Sequence, residues 1–568
     1  MSASEIRRVA LARQVRAGEP AVAAARGGAT ASCRLGLIVE GTIQERWVVD
    51  AVRAVLTVPG TCLAAIAVAT RRRRQSPAQR FHRLLDTVDG LLRGRGDALI
   101  SLVDIAACFR GVPRIELTLN ATPDGWAPDA AGVQTLRDAT ADVWLCFCAE
   151  PPCRPLPDFW GGDYGVLGLE IGSDVAAANP WAGAAEVAAA CPLTVARVVD
   201  YCTGREVYRG VGATIGNSAR RNRLLALRRS IDFPKRSFLA VLRPLPGAAR
   251  VELPSDYPVE PTPTVGRVAR LGYRLARKIA ANRWLELGWR GQWQIGYAFG
   301  DEIRPEPSRL RYLVPPQDSF WADPFVVADG ERHYIFFEEF PYGTGKGQIA
   351  AIEVDERGEQ VGAPLPVLER PYHLSYPFLF KWRGGLYMLP ETAENGTVEL
   401  YRCEELPSRW RLERVLLTNV RAYDATLWQQ GERWWMFVSL APPGTDGNDE
   451  LHLYSSRVTP LGPWTPHPAN PVVVDTRRAR SAGPLFVRDG ALYRPSQDCS
   501  RAYGHSISIN RVDALDEREY RETPVERIEP GWRRDIMRVH TIGGSGRLRV
   551  VDMFVKRPRW RRATRATQ

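Results

Sequence analysis

Acidic side chains recur at matching places of a repeated unit in the second half of this 568-residue sequence. The unit begins at residues 323, 376, 424 and 483, and a second polar position follows fifteen residues after each start. Together these positions supply Asp323, Glu338, Glu391, Asp424 and Asp498. One carboxylic acid can protonate the oxygen that leaves a glycosidic bond while a second carboxylate activates the attacking group. The pattern therefore indicates acid–base chemistry on a sugar linkage.

Three of these acids, Asp323, Asp424 and Glu391, are the candidate catalytic residues. Crowded carboxylates repel one another, which raises the pKa of one of them and prepares it to act as the acid. The candidates for holding the substrate are Trp321, Glu338, His373, Tyr376, Tyr423, Asp498 and His505. Structural roles are the alternative, since Asp before Pro often caps a turn and His373 and His505 can serve as polar contacts within the fold.

The elements that must position these residues are strands, because each unit reads as two apolar strands joined by a glycine turn. In unit one, Asp323 opens an apolar run, Asp329-Gly330 follows, and an aromatic run comes next. Asp-Gly favours a hairpin because the turn needs positive φ. The starts lie 53, 48 and 59 residues apart, and a weaker fifth unit begins at His540. Units of about 50 residues with about four strands are typical of propeller blades.

The sequence thus predicts an all-β five-bladed propeller over residues 291–560, with a strand near Gly296 closing the ring. In an up-down hairpin, the start of the first strand and the end of the second lie at the same end. Both polar positions of every unit are therefore expected at one rim of the propeller, around a central funnel.

Residues 31–245 show a different pattern, in which apolar strands alternate with helices. CRLGLIVEG, WVVDAVRAVL and CLAAIAVAT read as strand, helix and strand, which predicts the start of a parallel sheet. CPLTVARVVDY and REVYRGVGATI read as a strand pair. An α/β domain is expected here. A flexible leader (1–30), a linker with a basic helix (246–290) and a basic tail (561–568) flank the two domains.

The net charge of +12 favours an anionic partner, such as a membrane surface or a phosphorylated sugar. A solvated basic surface is the simpler explanation of clusters such as Arg71–Arg74. No nucleic-acid motif is present. The expected partner is a carbohydrate or glycolipid substrate, with an anionic membrane surface or a phosphorylated sugar as further candidates and no nucleic acid.

Cysteine usage indicates neither a metal nor another cofactor. Cys146, Cys148 and Cys153 lie close together but lack a second pair at zinc spacing. Cys33 and Cys62, like the first two of that group, read as buried small hydrophobic residues. The sequence shows no signal peptide and no apolar stretch of about 18 residues. A cytoplasmic location is expected, with membrane association left open.

The run Trp-Ala-Asp323-Pro-Phe, with Leu-Gly-Pro-Trp-Thr-Pro at 461–466, resembles glycoside hydrolase family 43. That family places a base in blade one, an Asp that tunes pKa in blade two and a Glu acid in blade three. Asp323 matches the base. Tyr376 stands at the second position, and Asp424, one methylene shorter, stands at the third. HLSYPFLF, LPET, YDATLW and YRPSQDCS resemble the propeller-type N-terminal domain of plant glucosamine inositolphosphorylceramide transferase and its bacterial counterparts, which implies a role in glycan or glycolipid assembly.

ADVWLCFCAE followed by YGVLGLEIGSD resembles a formyltransferase N-terminal domain. That family needs an Asn, a His and an Asp for formyl transfer. Leu169, Glu170 and Ile171 stand where the strand end that carries the His is expected. The resemblance therefore implies a degenerate, inactive relative that acts as a scaffold, with a live formyl- or acyltransferase as the competing interpretation.

Taken together, the sequence predicts a carbohydrate-active protein that acts on a glycosidic linkage, as a transferase or hydrolase, through carboxylates in the propeller funnel. The alternative is a glycan-binding propeller without catalysis, beside an inactive formyltransferase-like scaffold. Tyr376 at the second-blade position favours that alternative.

Overall fold

The computed structural model describes residues 33–70, 87, 90, 97–122, 125–150, 152, 164–172, 176–242, 266, 269–277, 289–304 and 306–558. The chain divides into two compact units, Met1–Ile279 and Ala280–Gln568. The predicted leader, most of the linker, the tail and the Arg71–Arg74 cluster lie outside the described residues. Within the described residues, no helix is both long and apolar enough to cross a membrane. The cytoplasmic location stays a prediction.

The first unit combines strands and helices. Its strands are β1 (Cys33–Glu40), β2 (Ile43–Glu45), β3 (Thr61–Thr70), β4 (Leu102–Asp104), β5 (Arg114–Thr122), β6 (Gly125–Pro128), β7 (Val143–Phe147), β8 (Val166–Ile171), β9 (Leu193–Asp200) and β10 (Arg205–Ala213). Its helices are α1 (Arg46–Leu56), α2 (Ile105–Cys108), α3 (Ala130–Asp138), α4 (Ala184–Ala189), α5 (Ala219–Ser230) and α6 (Phe233–Leu242), and a 3₁₀ turn spans Ala98–Ile100.

An eight-stranded sheet in the order β10-β9-β8-β7-β1-β3-β5-β6 forms the centre of this unit. The expected parallel pairing is confirmed for β1, β3, β5, β7 and β8. The sheet is mixed rather than wholly parallel, because β6 pairs antiparallel with β5 and β9 pairs antiparallel with β8. The predicted pairing of β9 with β10 is confirmed and is antiparallel. The connection between β9 and β10 is a short turn, and such a turn can join only antiparallel neighbours.

Large aromatic side chains fill one face of this sheet, where Trp126, Trp144 and Tyr201 pack in a buried cluster. Of the cysteines expected to be buried, Cys33, Cys146 and Cys148 are buried and Cys62 is exposed. Cys62 lies near the beginning of β3, where the strand has not yet entered the core.

The second unit is the predicted five-bladed propeller, built from five separate sheets. The first strands along the chain are β11 (Trp289–Phe299) and β12 (Arg311–Leu313). Blade 1 contains β13 (Ser319–Asp329), β14 (Arg332–Pro341), β15 (Gln348–Val354) and β16 (Gln360–Leu368). Blade 2 contains β17 (Ser375–Trp382), β18 (Gly385–Glu391), β19 (Thr397–Glu405) and β20 (Arg409–Thr418).

The remaining blades follow the same plan. Blade 3 contains β21 (Ala422–Gln430), β22 (Arg433–Leu440), β23 (Glu450–Ser456), β24 (Thr465–Pro466) and β25 (Val473–Val474). Blade 4 contains β26 (Phe486–Arg488), β27 (Ala491–Asp498), β28 (Ser506–Leu515) and β29 (Tyr520–Ile528). Blade 5 adds β30 (Ile536–Arg538), β31 (Ile542–Ser545) and β32 (Leu548–Pro558) to β11 and β12. Short 3₁₀ turns span Pro307–Arg309 and Ala393–Asn395.

The ring closes because strands from both ends of the unit share blade 5. β11 pairs antiparallel with β32 along its whole length, from Trp289 opposite Pro558 to Phe299 opposite Leu548. The expected closing strand near Gly296 is therefore confirmed. Aromatic and branched residues of neighbouring blades fill the spaces between the sheets, for example Phe325 against Tyr376 at 4.8 Å between ring centroids.

The first residue of each repeated unit has an unusual backbone conformation. Asp323, Tyr376 and Asp424 have φ values of +51°, +44° and +50°, and Gly483 has +130°. At the first three, the pairing with the next strand shifts register. Such a bulge bends the strand and redirects the side chain. These residues therefore leave the alternation that a regular strand imposes.

Tyr376 is fully buried and joins three blades. Its hydroxyl accepts a hydrogen bond from the Gly483 backbone N–H at 2.9 Å and lies 2.9 Å from the Thr426 hydroxyl. A Cβ at Gly483 would lie 1.9 Å from the Ile542 carbonyl oxygen, so glycine is needed at this crossing.

A Tyr376→Phe variant should lower the free energy of unfolding by about 1–3 kcal/mol, because the buried Gly483 N–H loses its acceptor. Denaturant unfolding measures this loss. The control is Tyr387→Phe in the same blade, where no described residue hydrogen-bonds to the hydroxyl, so that the variant should stay close to the parent. Equal effects of the two changes would contradict this role.

Candidate active site

Four of the five predicted acids meet in one buried cluster, which we refer to as the pocket. Asp323, Glu338, Glu391 and Asp424 are between 1% and 7% exposed. They lie on β13, β14, β18 and β21, at the rim where unit starts and hairpin ends meet. Burial and then the charges of the other three raise the pKa of Glu338, so the four carboxyl groups lie close enough to interact.

Arg480 is the cation of this pocket. Its Nε donates to Asp424 Oδ2 at 2.6 Å, and its Nη2 donates to Asp424 Oδ1 at 3.2 Å and to Glu391 Oε2 at 3.0 Å. The guanidinium lies 4.9 Å from the Tyr423 ring centroid and 5.0 Å from that of Tyr503. Two ion pairs and two aromatic faces therefore fix Arg480 between blades 2, 3 and 4.

Asp424 is an acceptor on both oxygens. Besides Arg480, the side-chain amide of Gln497 donates to its Oδ2 at 2.9 Å. Asp424 thus anchors Arg480, and Arg480 in turn holds Glu391. Through this chain of contacts, acids from different blades keep fixed positions.

Asp323 has a different set of partners, contributed by blade 5. Its Oδ1 accepts a hydrogen bond from the Thr541 hydroxyl at 2.6 Å and lies 3.4 Å from His540 Nε2. Among the described residues, Oδ2 has no hydrogen-bond donor. Burial raises the pKa of Asp323 to about 6, while the His540 charge opposes this rise and the charges of Asp424 and Asp552 add to it.

Burial also raises the pKa of both glutamates well above its usual range. Neighbouring carboxylates strengthen the effect at Glu338. At Glu391, Arg480 opposes it, while the charge of Asp424 and a hydrogen bond with it favour the protonated form. The pocket therefore combines Asp323, whose pKa is about 6, with two glutamates whose pKa values burial shifts upward.

The predicted aromatic residues have different positions. Trp321 packs on Phe337 in the core, and its indole N–H donates to Glu339 at 3.4 Å, away from the pocket. In a regular strand, Trp321 and Asp323 would lie on the same face of β13. The bulge at Asp323 breaks this alternation, so that the two side chains lie on opposite faces. Tyr376 is wholly buried within the propeller. The Tyr423 side chain lies at the rim, where its aromatic ring stacks on the Arg480 guanidinium.

Of the remaining candidates, His373 alone contacts the pocket. Its Nδ1 accepts the Gly347 N–H at 2.9 Å, and its Nε2 lies 3.4 Å from Glu338 Oε1. Burial lowers the His373 pKa. The other two lie outside the pocket, where Asp498 forms an ion pair with Arg527 and His505 Nε2 lies 3.8 Å from Glu529 Oε2.

One group of potential metal ligands exists among the described residues, namely Asp323, His540 and Asp552, whose ligand atoms lie within 4.8 Å of one another. Asp552 Oδ1 accepts the backbone N–H groups of His540 and Thr541, and Oδ2 accepts that of Asp323 and lies 2.6 Å from His540 Nδ1. Each carboxylate oxygen has two lone pairs. On Asp552, backbone N–H groups take three of the four, and the fourth faces the His540 ring. Asp552 is therefore engaged within the fold and does not fit the role of a metal ligand.

Sequence reasoning missed Arg480 and His540, and a signal for them exists in the repeat. Arg480 precedes the unit start Gly483 by three residues, as His373 precedes Tyr376. Aligning Gly543 with Gly483 places His540 at the same offset in unit five. The position three residues before the unit start therefore supplies a side chain that contacts the acids in blades 2, 4 and 5.

Comparison with known proteins gives matches to the propeller. The family described as glucosamine inositolphosphorylceramide transferase 1, N-terminal, matches residues 314–532. The transferase of that name from Oryza sativa subsp. japonica is 37% identical over 210 residues, 36% of this chain and 28% of the relative. The one from Arabidopsis thaliana is 36% identical over 261 residues, 41% of this chain and 34% of the relative.

The chain thus spans about a third of the length of these curated relatives. The resemblance of the propeller to this N-terminal domain, predicted from the sequence, is confirmed. Among solved structures, the catalytic domain of the Coprinopsis cinerea GH62 alpha-L-arabinofuranosidase matches 46% of this chain and 97% of its own length, at 12% identity and a TM-score of 0.33. The formyltransferase-like character of the first unit stays a prediction.

Proposed function

We propose that the propeller binds a saccharide in the pocket of Asp323, Glu338, Glu391 and Asp424 and acts on its glycosidic linkage. The observation that carries this proposal is the convergence of four buried carboxyl groups from three blades with unequal surroundings. Groups of this kind with strongly perturbed pKa values cluster at functional sites. Pairs of carboxyl groups whose surroundings separate their pKa values are the pattern of an acid and a base.

We assign Asp323 as the base and Glu391 as the proton donor. Asp323 ionises near pH 6 and has one oxygen that accepts no hydrogen bond from a described residue, so it can take the proton of an attacking hydroxyl group. Burial raises the pKa of Glu391, in the next blade, which suits a group that delivers a proton to the leaving oxygen. The attacking hydroxyl comes from water in hydrolysis and from a sugar or lipid acceptor in transfer.

Transfer is the better-supported direction. The relatives are named glucosamine inositolphosphorylceramide transferases. Because the chain spans about a third of their length, a glycolipid substrate for this protein remains part of the proposal. The competing candidate is a glycan-binding propeller without turnover, which the occupation of Glu391 and Asp424 by Arg480 favours.

For the first unit we propose a scaffold role. Glu170, at the strand position where the formyltransferase resemblance requires a His, is wholly buried, and it accepts a hydrogen bond from Arg197 at 3.1 Å. A buried, ion-paired carboxylate at that place is suited to structure rather than to proton transfer.

The test is incubation of the full chain with a panel of glycosides and glycolipids, with products read by mass spectrometry and binding by calorimetry. A Glu391→Gln variant should bind its saccharide and lose at least about 100-fold in turnover, the scale of general acid catalysis. Glu339→Gln is the control, because Glu339 contacts Trp321 and Gln348 instead of the pocket. Saturable binding without product would support the binding-only candidate, and an absence of binding across the panel would sink both.

A further inference from the structure

His540 lies between two carboxylates at the boundary of blades 1 and 5. Its Nδ1 is 2.6 Å from Asp552 Oδ2 and its Nε2 is 3.4 Å from Asp323 Oδ1. The ring is 2% exposed and stacks on Trp293 at 4.0 Å between centroids. A buried imidazole with a carboxylate at each nitrogen can be protonated on both nitrogens, and each N–H can then donate to the carboxylate beside it.

Asp552 has no freedom to move. Three backbone N–H groups, those of Asp323, His540 and Thr541, donate to its two oxygens at 2.9–3.0 Å. The same carboxylate therefore fixes the backbone that carries Asp323, the backbone that carries His540 and one nitrogen of the His540 ring. The ring's second nitrogen then has a fixed direction, towards Asp323.

We propose that His540, held by Asp552, is a positioning residue that keeps Asp323 in its ionised form within the pocket. This inference rests on the proposed function, in which Asp323 is the base. The inference adds His540 and Asp552 of blade 5 to the site. Neither residue touches the reacting atoms in this assignment.

Electrostatics around the ring support this role. Burial alone would lower the His540 pKa, but Asp552 and Asp323 outweigh burial and raise it, with a smaller contribution from Asp424. The other charged groups that face Asp323 are Glu338 and Glu391, and Tyr503 packs against the His540 ring at 5.4 Å. Arg480 bonds to Asp424 and Glu391 instead, so His540 is the cation that contacts Asp323.

The sign of the pH effect follows from this arrangement. Asp323 works as a base above its own pKa, and the imidazolium lowers that pKa against the effect of burial. Removal of the imidazolium should raise the Asp323 pKa, so that the acidic limb of any pH profile that depends on Asp323 moves to higher pH. As the pH rises through the raised pKa of His540, the imidazolium and its attraction to Asp323 are lost.

The first test follows the histidine rings directly, without any substrate. The chain contains seven His residues, so ring ¹⁵N signals of the labelled full chain can be assigned with His540→Gln and His333→Gln. We expect the His540 pKa to lie above its ordinary value, and Asp323→Asn to lower it by about one unit or more. A His540 ring that titrates like a free imidazole, or that ignores Asp323→Asn, would overturn the inference.

The second test measures the pH profile of saccharide turnover, or of saccharide binding if no product forms. His540→Gln should move the acidic limb to higher pH by about one unit. His333→Gln should leave the limb in place, because His333 lies at the hairpin-turn end of β14, opposite to the rim that carries the acids. An unmoved limb in the His540 variant refutes the positioning role. If no saccharide binds at all, the proposed function fails, and the ring titration still decides whether His540 and Asp323 are coupled.

Discussion

An Asp323→Asn variant is expected to lose at least about 1,000-fold in turnover and at the same time to unfold at higher temperature than the parent protein. The first effect follows because the amide cannot accept the proton of the attacking hydroxyl, and general base catalysis contributes about 10²–10⁴-fold. Saccharide affinity should change little, because the amide has nearly the same shape and can still accept the Thr541 hydroxyl hydrogen bond at Oδ1.

The stability effect follows from proton binding. The pKa of Asp323 rises from 3.8 to about 6 on folding, so between these values the folded protein holds a proton that the unfolded chain has released. The unfolding free energy contributed by this group therefore falls as the pH rises from about 4 to 6, and it stays low at neutral pH. A rise of about two units corresponds to roughly 1–3 kcal/mol. The neutral amide of the variant removes this cost, and asparagine tolerates the positive φ of the position.

Thermal and denaturant unfolding at several pH values measure this prediction. The variant should be more stable than the parent at pH 7 and approach it at about pH 3 or below, where the parent carboxyl is mostly protonated in both states. Asp329→Asn is the control, since Asp329 ends β13 at the exposed turn, away from the pocket. A stability difference that does not change with pH would show that Asp323 is not the buried titrating group, and retained turnover would remove it as the base.

The propeller was predictable because its hairpins repeat. Turn glycines and apolar strands recur at similar spacing, so the sequence identified the blades, the closing strand and the rim that carries Asp323, Glu338, Glu391 and Asp424. The strand directions in the first unit were harder to predict, since an apolar strand has the same sequence pattern whether it runs parallel or antiparallel to its neighbour. Its antiparallel strands β9 and β10 could be paired from the sequence, but the reversal of β9 against β8 could not.

Within the site, the wrong placement of Trp321 has a clear physical origin. Prediction by alternation assumes regular strands, and the bulges at the unit starts break that alternation. Trp321 therefore enters the core although Asp323, two residues later, enters the pocket. The partners that stabilise the acids, Arg480 and His540, come from blades 4 and 5. The sequence around a single residue does not show which distant residues it contacts once the propeller has closed.

The largest loss of stability is expected from Arg480→Met. This change removes the ion pairs to Asp424 and Glu391 and the stacking between Tyr423 and Tyr503. Breaking a buried ion pair by removing one partner leaves an uncompensated charge and costs about 3–5 kcal/mol. Denaturant unfolding at neutral pH should show a loss of that size, and saccharide binding should weaken because Glu391 loses its fixed position.

Arg421→Met is the matched control, because Arg421 occupies the same offset in blade 3, is exposed, and donates to the Tyr423 hydroxyl at 2.7 Å. It should cost less than about 1 kcal/mol, since exposed contacts of this kind contribute little. Adding Asp424→Asn to the Arg480→Met variant should restore part of the lost stability, because the amide removes the unpaired buried charge. If the double variant is less stable than Arg480→Met alone, then Arg480 stabilises the ring through packing on the two tyrosines, and the charge balance of the pocket is set elsewhere.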